Sequence, residues 1–246
     1  MGIKLHVFRA LFKKDFKNCF MNRNVSLMLA LPILFVLLYK FLLNGGADES
    51  FSAYYTLLMC SVLTLSVIPL NILAMLISEE KEKHTLRSLM MANVSGAEFI
   101  SSKAAVCLIL MMSEGIIIYL LCGLAMNLMA LYLGVIFIVS LAIIIFGAVV
   151  GISAKDQMAA GTLGTPLMML FLIPPVFSTM NNFFEKVSVL VPTTSLYTIY
   201  GAVYNDQPLM SKDNIIAFGV CLAWIIIGIA AFMRIYKKEG TRRLDI

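Results

Sequence analysis

The stretch Ser78–Lys103, SEEKEKHTLRSLMMANVSGAEFISSK, is a polar island between two long apolar runs. Its first ten residues, Ser78–Arg87, carry three glutamates, two lysines, a histidine and an arginine. The rest of the chain is mostly hydrocarbon: of 246 residues, 61% are hydrophobic and 13% charged. A soluble domain is nearer half apolar and a quarter charged, so the composition points to an integral membrane protein. A structured charged segment between two spans is where a cytoplasmic partner would take hold.

Outward from the island, a helical span needs about 20 consecutive apolar residues. Six runs qualify: Val25–Leu43, Phe51–Ile77, Ala104–Met126, Leu128–Ile152, Met158–Phe177 and Ile215–Met233. They are continuously apolar, whereas the strands of a membrane barrel alternate in polarity. The expected fold is therefore all-α, with six transmembrane helices in one domain over residues 1–246. The basic segment ahead of the first run is too long for a cleaved signal peptide, and no small-x-small site follows the run.

Lysine and arginine set the orientation. With both termini inside, six lie in the N-terminal segment, four in the island, one between the fourth and fifth runs, and five in the C-terminal tail. Only Lys40, Lys186 and Lys212 fall outside, so sixteen of nineteen are cytoplasmic. The positive-inside rule thus predicts a plasma-membrane protein with both ends in the cytoplasm. The net charge of +5 reads as topology and attraction to anionic membrane lipid, not as a nucleic-acid surface.

Residues 1–24 read as an interfacial helix. At 100° per residue, Leu5, Phe8, Phe12, Phe16, Cys19 and Phe20 share one face, and His6, Arg9, Lys13, Lys14 and Lys17 the other. Asn44-Gly45-Gly46 marks a short outer turn. Pro69 and Asn71 predict a kink in the inner half of the second span. The third and fourth spans should form a tight hairpin around Met126–Met129, and Gly147 and Gly151 make a GxxxG pair that permits close helix approach. In the fifth span Pro166 is expected to interrupt the helix and Pro174-Pro175 to end it. Residues 178–212 are long and still apolar, which suggests short re-entrant helices in the outer leaflet around Pro192.

The five cysteines form no CxxC and lie mostly in spans, so they read as small apolar residues. With only His6 and His84, no histidine metal site is expected. Glu80 and His84 stand one helical turn apart, but there is no HExxH pattern and no histidine within the spans to complete a hydrolase. The island reads instead as a cytoplasmic helix with Leu86, Leu89, Met90 and Val94 at i, i+3, i+4 and i+8. That stripe needs a cover, either the inner ends of the protein's own spans or a groove on a partner. Two ionisable residues fall within spans, Glu114 near mid-membrane and Lys40 toward the outside. Such groups are costly and mark a pathway, an interface or a mutual pair, or else are structural, with Glu114 protonated or hydrogen-bonded beside Ser113 and Lys40 snorkelling to the outer surface.

The run Glu79-Glu80-Lys81-Glu82-Lys83-His84-Thr85-Leu86-Arg87-Ser88-Leu89-Met90, then Asn93-Val94-Ser95, Glu98 and Lys103, resembles the coupling-helix region of ABC-2-type (type V) ABC transporter permeases. In that family an acidic-basic cluster leads to a Gly-Thr-Leu-Glu-like run, then Leu-Leu, a Pro-Val-Ser-like turn, and a Glu and a Lys. This chain has His84 where Gly is usual, Arg87 where Glu is usual and Asn93 where Pro is usual. The layout of a surface helix, six spans and membrane-dipping segments between the last two is also similar.

The resemblance implies a permease subunit, not an enzyme. The chain has no GxxxxGK[ST] phosphate loop, so ATP and Mg would be bound by separate cytoplasmic ABC ATPase subunits. A second permease, identical or different, would complete the assembly. Glu79, Glu80, Glu82, Lys83, Thr85, Leu86, Leu89 and Met90 would form the ATPase-coupling site, and Glu114 and Lys40 pathway or interface positions. Small permeases of this kind resemble those of Gram-positive exporters of peptides and toxins. The alternatives are export of lipid-linked glycans, drugs or ions, or an ATP-independent channel or proton-coupled carrier built on Glu114.

Overall fold

The computed structural model describes residues 4–43, 49–92 and 94–242. Among them all regular structure is helical, as a chain of continuously apolar runs in lipid requires. Among the described residues, six helices are long and apolar enough to cross a membrane: Arg23–Leu42, Ala53–Glu82, Gly96–Cys122, Met126–Ser153, Gln157–Phe177 and Lys212–Ile235. Six spans in alternating direction bring both chain ends to one end of the bundle, called here the terminal end. The Asn44-Gly45-Gly46 turn lies outside the described residues.

Helix α1 (Leu5–Met21) packs on the third span and more lightly on the first. Its phenylalanines form a ladder, with ring centroids 6.4, 5.9 and 5.3 Å apart from Phe8 to Phe20. The buried stripe is nevertheless Leu11, Asp15 and Cys19, while Leu5 and Phe20 are exposed. The packing face is therefore rotated from the one the apolar pattern marks. An acid sits in it because Asp15 meets a buried lysine, a pairing that a hydrophobicity pattern scores as polar.

Helix α2 (Arg23–Leu43) is the first span and turns Leu27, Leu34, Leu38 and Phe41 outward. The second span is the core of the molecule. It comprises α3 (Glu49–Val67), a π-helical segment Ile68–Leu73 and α4 (Ala74–Glu82). Its most apolar stretch is 94% buried, against 22% for the first span and 17% for the sixth. The π-helical segment stands where Pro69 and Asn71 predict a kink. Proline has no N–H to give the ladder, and a wider turn absorbs the missing donor. Its carbonyls meet glycines on two neighbours. A Cβ at Gly147 would lie 1.9 Å from the Pro69 carbonyl oxygen, and one at Gly164 2.2 Å from that of Leu70. At Gly151 it would lie 3.0 Å from the Ala74 carbonyl. The GxxxG pair is thus the surface on which the second span lies.

The second span continues as helix to Glu82, five residues past its expected end at Ile77, because Glu79 and Glu80 of its last turn are buried and partnered. After Lys83 and His84 comes the short helix α5 (Thr85–Met91). Helix α6 (Gly96–Cys122), the third span, starts two turns before the expected Ala104. A capping box fixes that start: Ser95 Oγ accepts from the Glu98 N–H, and the Glu98 carboxylate accepts from the Ser95 N–H. Gly123, with φ of 73°, closes α6 in the left-handed conformation glycine permits. A 3₁₀ turn at Met126–Leu128 leads into α7 (Met129–Ser153), so the hairpin falls where expected.

Helix α8 (Gln157–Phe177) corrects the reading of its prolines, since it runs through Pro166, Pro174 and Pro175 to Phe177. A proline in a membrane helix removes one ladder bond, which neighbouring groups offset. Here α8 packs closely on the second span, with Gly164 against the Leu70 carbonyl, and that packing holds it helical through Pro166. The connection onward holds α9 (Asn182–Ser188), a π-helical segment Leu196–Tyr200 and α10 (Gly201–Tyr204). Thr193 donates to the Phe171 carbonyl at 2.6 Å, and Ser195 to that of Ala217 at 3.1 Å. The connection is thus packed against the spans. Helix α11 (Lys212–Arg242) lies along α7, where Trp224 meets Phe146 and Phe171 with centroids 5.2 and 5.0 Å away.

Candidate functional site

The last turn of α4 is a hub, because its charged residues from Glu79 to Lys83 together reach four other helices. Glu79 accepts from Asn18 Nδ2 of α1 at 2.7 Å and pairs with Lys83 one turn on. Glu80 pairs with Lys14 of α1 and with Lys103 of α6, the latter at 3.4 Å. Lys81 donates to the Ala154 carbonyl at 2.9 Å and also to that of Ile152, where α7 ends. A cation there meets the negative end of the helix dipole. Glu82 accepts from the Gln157 N–H, the first residue of α8, at 3.1 Å. The tip of the second span is thereby tied to α1, α6, α7 and α8.

Lys103 is fully buried, with its side chain 1% exposed. Its ammonium donates to Asp15 Oδ1 at 2.9 Å and lies 4.9 Å from the centre of the Phe99 ring. Burial raises the Asp15 carboxyl above its ordinary value, against the lowering charge and hydrogen bond of Lys103. Asp15 Oδ2 has no partner among the described residues, which fits a carboxylate whose burial costs more than its pairing returns. The Lys83 ammonium is raised by its hydrogen bond to Glu79 and that residue's charge. Burial pushes the neighbouring Cys19 thiol up to about 12, so it stays protonated as a packing group.

Helix α5 hangs directly on the hub. Thr85 Oγ1 donates to the Glu80 carboxylate, and to the Glu80 carbonyl at 3.2 Å. Leu89 and Val94 pack on the protein's own core, so that part of the stripe is covered from within. Met91 is exposed, and the side chains of Leu86 and Met90 lie outside the described residues. His84 joins α4 to α5 at φ of 54°. A left-handed backbone is one that glycine adopts without strain, so His84 is held there at a cost.

Glu114 and Lys40, the two ionisable residues of the expected apolar runs, do not meet. Glu114 is 4% exposed, and its Oε2 accepts from Thr64 of the second span at 2.9 Å. Its Oε1 has no partner among the described residues. One turn along, Ser61 bonds the Tyr132 hydroxyl at 2.5 Å, so polar contacts tie the second span to the third and the fourth. Lys40 instead donates to the Leu121 carbonyl at 2.7 Å, at the far end of α6. Leu121 is seven residues beyond Glu114, two helical turns away, so the lysine serves as a cap for the helix end.

Sequence reasoning missed Asp15, Asn18 and Lys103 as members of the site. A signal existed: Asp15 is the only acid in α1, and it shares the i, i+4, i+8 stripe of Leu11 and Cys19. Lys14 belongs to the hub although it was placed on the solvated face of α1.

This arrangement of six spans, with a short helix slung from the ion-paired tip of the second, is that of a multi-pass membrane protein. The model of the ABC-2 family transporter proteins matches residues 43–234, and the chain belongs to that family. The match covers the second to sixth spans and the hub's glutamates, and leaves Lys14 and Asp15 of α1 outside. No curated protein matches the chain. The family is a transmembrane component of ABC transporters and not an ATPase.

Proposed function

We propose that the chain is the permease subunit of an ATP-driven exporter and that its terminal end faces the cytoplasm. A separate ABC ATPase docks on α5, the hub residues Glu79, Glu80, Glu82 and Lys83 couple it to the spans, and a second permease completes the pair. The observation that carries this reading is the bond from Thr85 to Glu80, a carboxylate also held by Lys14 and Lys103. Movement of α5 would pass to α1, the second span and the third. Those are rigid elements with discrete packings, the kind that convert a local push into a domain motion. Glu114 then serves as a contact between the second and third spans that changes when they slide.

The cargo we infer is an amphipathic peptide or toxin. An apolar groove of about 200 Å³ opens between the first, second and fifth spans, lined by Phe35, Tyr39, Leu63, Leu172 and Phe177 among others. Aromatic and aliphatic walls with little polar surface suit the apolar face of such a peptide. Lipid-linked glycans or ions would call for polar walls.

Co-purification tests the coupling. The ATPase should be lost when Glu82–Met90 is charge-reversed or broken with proline, and its retention would overturn the assignment. For Glu114, export by Glu114→Gln at matched expression should fall; unchanged export removes it from the moving parts.

A further inference from the structure

Between α1 and the tip of α4 lies an open cleft of about 350 Å³, lined by Lys14, Lys17, Met21, Glu79 and Lys83 among others. Its two carboxylates are committed. Glu79 is held by Asn18 and Lys83, and Glu80 by Lys14, Lys103 and Thr85. Around the cleft and its floor stand four lysines, at 14, 17, 83 and 103, against three carboxylates, at 15, 79 and 80. The surplus cation is Lys17, which is exposed and forms no ion pair among the described residues. Lys14 and Lys83, with side chains 50% and 60% exposed, keep donors free beside it.

The rim is apolar. Met21 is 70% exposed where it borders the cleft, and Phe20 next to it is 59% exposed. Lys14, Lys17 and Met21 fall at i, i+3 and i+7, so one face of α1 presents two ammonium groups and then a hydrocarbon edge. The geometry points to a binding site for an anionic phospholipid, with its phosphate on Lys17 between Lys14 and Lys83 and its acyl chain along Phe20 and Met21. A zwitterionic headgroup would bring its own cation toward Lys17. An acidic peptide would answer the lysines and leave the apolar rim bare. The site needs neither the cargo nor the ATPase assignment to be right. It would fix α1 to the membrane surface beside the hub, so that the hub works against an anchored helix.

The test uses the purified full chain in neutral detergent and follows its thermal unfolding midpoint. Short-chain phosphatidylglycerol, phosphatidylcholine and free glycerol phosphate are titrated separately. Phosphatidylglycerol should raise the midpoint saturably and phosphatidylcholine should not. Glycerol phosphate, lacking the chain, should act at least about tenfold more weakly. Lys17→Ala should raise the half-saturating phosphatidylglycerol concentration about fivefold. Lys17→Arg should keep it, and so should Lys13→Ala, an exposed lysine of α1 outside the cleft. An unchanged half-point in Lys17→Ala, or a loss in Lys13→Ala equal to it, would mean only diffuse surface charge and would overturn the site. Equal protection by glycerol phosphate would reduce it to a phosphate site without lipid. No protection by phosphatidylglycerol would leave the lysines to an acidic segment of a partner protein.

Discussion

The second span is held in two ways along its length. At its tip, Glu79–Lys83 are tied by ion pairs and hydrogen bonds to side chains and helix ends of four neighbours. In its middle, around Pro69 and Leu70, it is held by backbone pressed against Gly147 and Gly164 with no room for a methyl group. Side-chain ion pairs can exchange partners over an ångström or two. A carbonyl lodged against a glycine cannot shift without the helices separating. The tip is therefore suited to receive a displacement and the middle to act as the fixed bearing about which the span tilts.

The largest effect should come from unbalancing the tip. Lys103→Met leaves Asp15 buried without its counter-charge and should cost about 3–5 kcal/mol in reversible unfolding. Asp15→Asn, which removes the charge with the cost, should cost clearly less. Equal losses would mean the pair is a packing contact and not an electrostatic one. At the bearing, Gly147→Ala drives a Cβ onto a backbone carbonyl and should cost about 3 kcal/mol, measured as a lowered unfolding midpoint. If it is neutral, the second and fourth spans are not in fixed contact and the contrast fails.

A smaller gain is expected at the joint between tip and α5. His84→Gly relieves a left-handed non-glycine backbone and should stabilise the chain by about 1 kcal/mol. His84→Val should do the reverse, because a β-branched residue resists that conformation. The smallest effect is a pH dependence. Asp15 lies above its ordinary 3.8 in the folded chain, so the folded state binds that proton more tightly than the unfolded state. Its contribution is fully present below the unfolded value and is lost as pH rises through the folded one. Wild type should therefore gain on Asp15→Asn as pH falls from 7 toward 4. A gap that is constant, or that narrows with acid, would place the Asp15 carboxyl at or below its ordinary value.

Much of this was legible in the sequence, for unequal reasons. The spans announce themselves because lipid demands unbroken apolar runs, and the hairpin at Met126–Met129 follows from their spacing. The limits of α4 and α6 were misjudged because charged turns normally lie in water, and here Glu80 and Lys103 are buried together. Asp15 escaped notice because its partner is 88 residues away, and no local pattern reports a long-range pair. Pro166 was read as a break because the packing of α8 on the second span, which holds it helical there, is a tertiary fact. The GxxxG pair was visible, but only the packed structure shows that it bears on Pro69 and Ala74.

The central claim is that Glu80 carries the ATPase stroke from α5 into the second span. The most direct test is the ratio of cargo exported to ATP hydrolysed by the reconstituted permease–ATPase complex, wild type against Glu80→Gln, at equal bound ATPase. Continued ATP hydrolysis with export per ATP reduced severalfold is the predicted result. An unchanged ratio with the ATPase fully bound would contradict it, because the stroke would then reach the spans by another route.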